Sequence, residues 1–216
     1  MPQVFHRSAN TIARASIVGA AVLVGGLLIF LGWFVRSDYF RGVGAPVTQP
    51  VPFSHEHHVA GLGIDCRYCH TTVETSSFAG LPPTQTCMNC HSQIWNTASL
   101  LQPVRDSFKS GQPIVWNRVY NLPGFVYFNH SIHVQKGIGC ETCHGRVDQM
   151  PLTAQATSLQ MGWCLDCHNA PQKYIRPKDQ VFTMGYRPSG NQLVLGDQLV
   201  KDYHVKSLTS CSTCHR

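Results

Sequence analysis

Every cysteine of the 216-residue chain falls into one pattern. The ten thiols form five C-x-x-C pairs, and a histidine follows each pair directly. They are Cys66, Cys69 and His70; Cys87, Cys90 and His91; Cys140, Cys143 and His144; Cys164, Cys167 and His168; and Cys211, Cys214 and His215. Two thiols at this spacing, with an imidazole next in line, can meet one rigid ring. The thiols add to its vinyl groups and the imidazole binds its iron. C-x-x-C-H is the attachment signature of c-type haem, and its histidine is the proximal ligand. Zinc sites use C-x-x-C pairs in twos, which an odd number of pairs does not satisfy. A disulfide framework has no use for the histidine. The motifs imply five covalently held c-type haems (Fe).

Seven of the twelve histidines lie outside the motifs. His6 stands before a long apolar run and is remote from the rest. The other six fall in an internal repeat. The first copy reads Val51-Pro52-Phe53-Ser54-His55-Glu56-His57-His58-Val59, then Gly61-Leu62-Gly63, then the first motif. The second reads Val126-Tyr127-Phe128-Asn129-His130-Ser131-Ile132-His133-Val134, then Gly137-Ile138-Gly139, then the third motif. A partial third copy, Tyr203-His204-Val205, precedes Cys211 by the spacing at which His133 precedes Cys140. A low-spin haem needs a sixth ligand, usually His or Met in electron carriers. His55, His58, His130, His133 and His204 are the distal ligands this register supplies, and His57 has no counterpart. Met150, Met161 and Met184 surround the fourth motif and compete for a place there, Met161 and Met150 foremost. A thioether ligand would raise that haem's potential.

The elements that position these groups are sparse. Residues 53–216 form the haem domain: two dihaem modules, 53–91 and 126–168, and a half module, 203–216. About 165 residues for five haems leave no room for an ordinary protein core. The expected fold class is mostly irregular and α-helical, a multihaem cytochrome c with a haem-packed core behind one N-terminal transmembrane helix. Residues Ser92 to Lys109 read as one helix, with Ile94, Trp95, Ala98, Leu101 and Val104 on a shared face and a kink at Pro103. Pro, Gly and Asn in 171–196 read as loop. Residues 37–52 are a Pro/Gly linker on an extended path.

Residues 15–36 read as a transmembrane anchor. Ala15 to Val35 carry no charge and span roughly 30 Å as a helix, one bilayer core. That exceeds the h-region of a signal peptide, and Gly32-Trp33-Phe34-Val35 makes a poor cleavage site. Arg7 and Arg14 before the span balance Arg36 and Arg41 after it, so flanking charge does not orient it. Haem attachment does, because c-type haem is made outside the bacterial inner membrane. Residues 1–14 are then cytoplasmic and the haem domain periplasmic. Small residues at Ser16, Gly19, Ala20 and Gly26, and at Ala21 and Gly25, suit packing against another helix.

Only 13% of the residues are charged, and the formal net charge is +6. Haem propionates offset that charge, so it implies no nucleic-acid partner. Ten thiols exclude an ordinary reduced cytosolic enzyme.

Over nearly its whole length the chain resembles the pentahaem, membrane-anchored cytochrome c subunit of alternative complex III, a bacterial quinol:electron-acceptor oxidoreductase. The single anchor, the five motifs, Val126 to His133 and Met161-Gly162-Trp163-Cys164-Leu165-Asp166-Cys167-His168 carry this likeness. The F-x-H-x-x-H elements also resemble small cytochromes of the c7 type. The first resemblance implies an electron-transfer subunit, not an enzyme by itself. Its partners would be a polytopic quinol-binding subunit, an iron-sulfur subunit and monohaem cytochromes. Two other classes stay open. A free-standing anchored quinol dehydrogenase would place a ligating Met shortly after a motif, where this chain has Thr71-Thr72 and Ser92-Gln93. A multihaem reductase enzyme would need an iron with an open position, and five distal His leave none.

Overall fold

The computed structural model describes residues 4–215. Residues 1–3 of the expected N-terminal segment and Arg216 of the half module lie outside the described residues. The chain divides after Gly42 into two units. The first is dominated by α1, Ala9–Phe34, followed by the short α2, Asp38–Arg41. Helix α1 runs 26 residues, buries none of its side chains and reaches a mean hydropathy of 2.4 over its most apolar stretch. At about 1.5 Å per residue it is long enough to cross a bilayer. It begins six residues earlier than the apolar run, taking in Arg14. Its far end is ringed by aromatics: Phe34 stacks on Phe30 and meets Phe40 edge-on. Such rings suit a membrane interface.

The second unit has short helices and loops, with isolated bridges at Pro46–Ala154 and Ile138–Ile175 and no strand among the described residues. Its helices follow the motifs. Cys66–Cys69 is α3, Thr84–His91 is α4, Cys140–His144 is α7, Met161–Asn169 is α8 and Cys211–Cys214 is α10. One helical turn sets thiols three apart on one face. The capping is local: the Asp65 carboxylate accepts from the Arg67 N–H at the start of α3.

Between the motifs the expected single helix is replaced. Residues 93–98 are turns, Trp95 has φ +54°, and the helix proper, α5, is Gln102–Ser110. Pro103 sits in its first turn, where a missing N–H costs nothing, and so starts the helix rather than kinking it. Leu101 and Val104 are buried with Val51 against Cys87, Met88 and Trp116, whereas Ile94 and Trp95 are exposed. The tail is also more regular than its composition suggests. Helix α9, Gln192–Asp202, starts inside it, with the Asn191 side chain accepting from the Leu193 and Val194 N–H groups. It lies on the turn at Pro171–Lys173, so close that a Cβ on Gly196 would overlap the Gln172 carbonyl. Residues 44–49 follow an extended path but are tied down. Gly44 N–H and Val47 N–H donate to the Gln155 and Thr153 carbonyls, and Gln49 is bonded to Asn117.

Few buried apolar side chains hold this unit: Val51, Val73, Leu101, Val104, Ala154, Ile175, Val181 and Leu199 among the described residues. One buried ion pair does part of the work. Arg176 donates from Nη2 to the Glu141 carboxylate at 2.9 Å, and both side chains are nearly inaccessible, at 8% and 11%. Arg176 also spreads over the Tyr186 ring, and its backbone N–H donates to the Gly137 carbonyl. Gly137, at φ +81°, has no room for a side chain: a Cβ would sit 2.5 Å from the Arg176 carbonyl. Glu141 lies between Cys140 and Cys143, so this pair clamps the third motif to the segment at 175–185. Removing one member strands the other's charge. Arg176→Met should lower unfolding free energy by about 3 kcal/mol, measured by denaturant unfolding of the holoprotein; a change within error would show that the pair is dispensable.

Candidate haem-binding sites

The repeat is a structural unit. In the first copy the Phe53 ring meets His55 edge-on at 4.9 Å and stacks on His58 at 4.4 Å. In the second, Phe128 meets His130 edge-on at 4.8 Å and stacks on His133 at 4.4 Å. The phenyl ring wedges the two imidazoles apart and fixes the direction of each. The first copy has one residue more between its second His and its motif. That residue is absorbed by a π-helical segment, Glu56–Gly61, where the second copy has the α-helix α6, His130–Gln135. The glycine register shifts accordingly. Gly63 (φ +69°) stands where Gly137 (φ +81°) does, and Ile64 and Ile138 both donate to the carbonyl of the second His. Chain order alone sets Gly61-Leu62-Gly63 beside Gly137-Ile138-Gly139; in the structure Gly63, not Gly61, stands opposite Gly137.

Imidazole orientation is set through Nδ1. His58 donates to the Ser54 carbonyl at 2.8 Å and His133 to the Asn129 carbonyl at 2.7 Å. His130 donates to Ser77, and the motif histidines His70, His91 and His215 donate to the carbonyls of Gly80, Ile94 and Phe125. A carbonyl only accepts, so Nδ1 holds the proton and Nε2 is left as a free lone pair. That is how metal-ligating histidines are prepared. His55 Nδ1 is bonded to Thr153 Oγ1 at 3.0 Å. Burial lowers His55 to about 4 and His144 to about 4, which keeps both neutral and ligand-competent.

The histidines meet in pairs. His58 faces His91 at 6.2 Å between ring centroids, His133 faces His168 at 6.1 Å, and His130 is parallel to His144 at 6.4 Å. Two imidazoles on opposite sides of one metal, each at about 2 Å, have centroids about 6 Å apart. His55 lies within electrostatic reach of His70, the pairing equivalent to His130 with His144. No group of three or more His, Cys, Asp or Glu converges on one point among the described residues, and all ten thiols are free. Paired imidazoles beside paired thiols fit a macrocycle that brings its own equatorial nitrogens. The residues present fit c-type haem.

The remaining candidates are placed differently. His204 is exposed, at φ +49° beyond the end of α9, outside the helical setting of His58 and His133. His57 stacks on Trp95 at 5.7 Å and faces no motif histidine. Met161 opens α8 and is 66% exposed; Thr84 opens α4 at the matching position. Met150 is half-buried, and its carbonyl accepts from the Glu56 N–H. Sequence reasoning missed Thr153 and Ser77, neighbours of distal imidazoles that no local pattern marks.

Residues 126–216 match the family model for cytochrome c7 and related cytochrome c. The chain is also 35% identical to a curated relative, the multiheme cytochrome c subunit of menaquinone reductase from Nitratidesulfovibrio vulgaris (strain Hildenborough). That likeness runs over 129 residues, 58% of this chain and 59% of the relative, so the chain spans less than two thirds of the length of the relative it matches. With the paired imidazoles and C-x-x-C-H turns, these likenesses mark the unit, which is helical and without strands among the described residues, as having the fold of a multihaem cytochrome c, matched by family over residues 126–216.

Proposed function

We propose that the chain is an electron-transfer subunit of a membrane-bound quinone-linked complex, with five covalently held haems. The observation that carries this reading is the set of imidazole pairs 6.1–6.4 Å apart, each beside a C-x-x-C turn. Number the sites by their motifs. His55 and His70 serve site 1, His58 and His91 site 2, His130 and His144 site 3, and His133 and His168 site 4. His215 serves site 5, with His204 its leading partner. Bound haem supplies one-electron exchange without bond making. The chain's residues would fix site spacing, present two facing imidazoles to a haem at sites 2, 3 and 4 and tune potentials through the Nδ1 hydrogen bonds. Where two facing imidazoles would hold one iron, as at sites 2, 3 and 4, no position would be left for a substrate, which favours a carrier over a reductase.

Helix α1 anchors the chain in this reading, with the haem domain on the periplasmic side of a bacterial inner membrane. Quinone chemistry belongs to a polytopic partner subunit. Iron-sulfur and monohaem cytochrome subunits complete an assembly of the alternative complex III kind, in which electrons run from quinol to an acceptor. The relative's name favours a second reading, in which the same sites deliver electrons toward menaquinone.

Four outcomes test these statements. Intact mass under denaturing conditions should exceed the polypeptide by five haems; four or fewer would refute the count. His133→Ala should turn one haem of the holoprotein high-spin, about a fifth of the total, whereas His57→Ala should leave all low-spin; the reverse would refute the pairing. The purified chain should not be reduced by a menaquinol analogue at the rate seen in membranes, while the assembled complex should be. Fast reduction of the isolated chain would favour an independent quinol dehydrogenase. In the complex, net flow from quinol to haem supports the first direction and net flow from reduced cytochrome to quinone the second.

A further inference from the structure

The two copies of the repeat touch each other reciprocally. Glu56 N–H in the first copy donates to the Met150 carbonyl at 3.2 Å, and Ser131 N–H in the second donates to the Ser76 carbonyl at 3.1 Å. Glu56 and Ser131 are equivalent, each next after the first His of its copy. Met150 and Ser76 are equivalent too, each six residues beyond the motif histidine. The distal imidazoles also reach into the opposite copy, through residues that are not equivalent. His130 is held by the Ser77 carbonyl of the first copy, and His55 by the Thr153 hydroxyl of the second. When i meets j and j's counterpart meets i's, a two-fold axis relates the halves. An equivalent residue touching its own counterpart lies on that axis. Cys66 and Cys140, the first thiols of their copies, lie against each other.

The outer neighbours then follow. The Asn89 amide donates to the Tyr68 hydroxyl, joining the second motif to the first. The Ser207 hydroxyl donates to the His168 carbonyl, joining the approach to the fifth motif to the fourth. The Phe53 ring lies against both His55 and His58, which makes sites 1 and 2 neighbours, and Phe128 lies against both His130 and His133, which makes sites 3 and 4 neighbours.

We propose that the two dihaem repeats dock about an internal pseudo-two-fold axis with their first sites side by side, so that the five sites run in space in the order 2–1–3–4–5. Chain order and spatial order differ. Sites 2 and 5 are the ends of the row, and the junction between repeats is site 1 against site 3. Thr153 is a positioning residue: it sets an imidazole 98 positions away and belongs to the other repeat. This deepens the proposed function and rests on its axial assignments.

The test is an EPR-monitored redox titration of the holoprotein in its complex. The site 1 signal is the one that changes in His55→Met, since a thioether ligand raises the potential. Thr153→Val should then raise the potential of that same signal and shift its principal g value, because the imidazole loses the acceptor that made it more basic. Thr153→Ser should restore both. Cys140→Ala with Cys143→Ala, which removes site 3, should relieve magnetic broadening of the site 1 signal and leave the site 2 signal, identified by His58→Met, unchanged. A Thr153→Val effect on another signal, or none, would overturn the docking, as would broadening lost from site 2 instead of site 1. If the cysteine double variant does not fold, the two Thr153 variants decide alone. If His55→Met alters no signal, the axial assignment fails, a result distinct from failure of the docking.

Discussion

The direction of an imidazole is the constraint on which the rest of this structure depends. A c-type haem is held by two thioethers at one edge, but its iron needs nitrogens aimed from above and below. The chain aims them by tying Nδ1 to backbone carbonyls, from Ser54 O for His58 to Phe125 O for His215. Each such bond fixes both the tautomer and the ring plane. The wedge of Phe53 between His55 and His58, repeated by Phe128, then lets one short segment aim two imidazoles at two different sites. In the proposed assignment, one repeat thereby supplies both distal ligands of a dihaem module.

The scarcity of other structure follows. With so few buried apolar side chains, the haem unit cannot rest on a conventional core. It relies on short-range ties: the Asp65-capped turn at the first motif, the buried Arg176–Glu141 pair, the Gly196 contact under α9 and the hydrogen bonds that bind residues 44–49. Apolar groups flanking the motifs, such as Tyr68, Leu81 and Phe128, are exposed on the polypeptide itself and suit contact with a macrocycle.

What could be read from the sequence was what is local. The C-x-x-C-H turns, the F-x-H-x-x-H repeat and the apolar stretch of α1 each carry their signal within a few residues, and all three take shape in the structure. Longer-range features were hidden. The helix expected from Ser92 to Lys109 failed because Pro103 opens a helix and Trp95 adopts φ +54°, neither of which periodicity can foresee. Helix α9 was masked by the loop-rich composition before it. The glycine register slipped because an inserted residue can be stored in a π-helical segment without disturbing the histidines on either side. Thr153 and Ser77 act across 98 and 53 residues, and nothing in the residues nearby announces it.

The central claim is that paired imidazoles mark iron positions. Anomalous scattering at the iron edge from crystals of the holoprotein measures those positions directly. The account predicts five peaks, three of them midway between His58 and His91, His133 and His168, and His130 and His144. A peak displaced from these midpoints, or a pair with no peak between its rings, would contradict it.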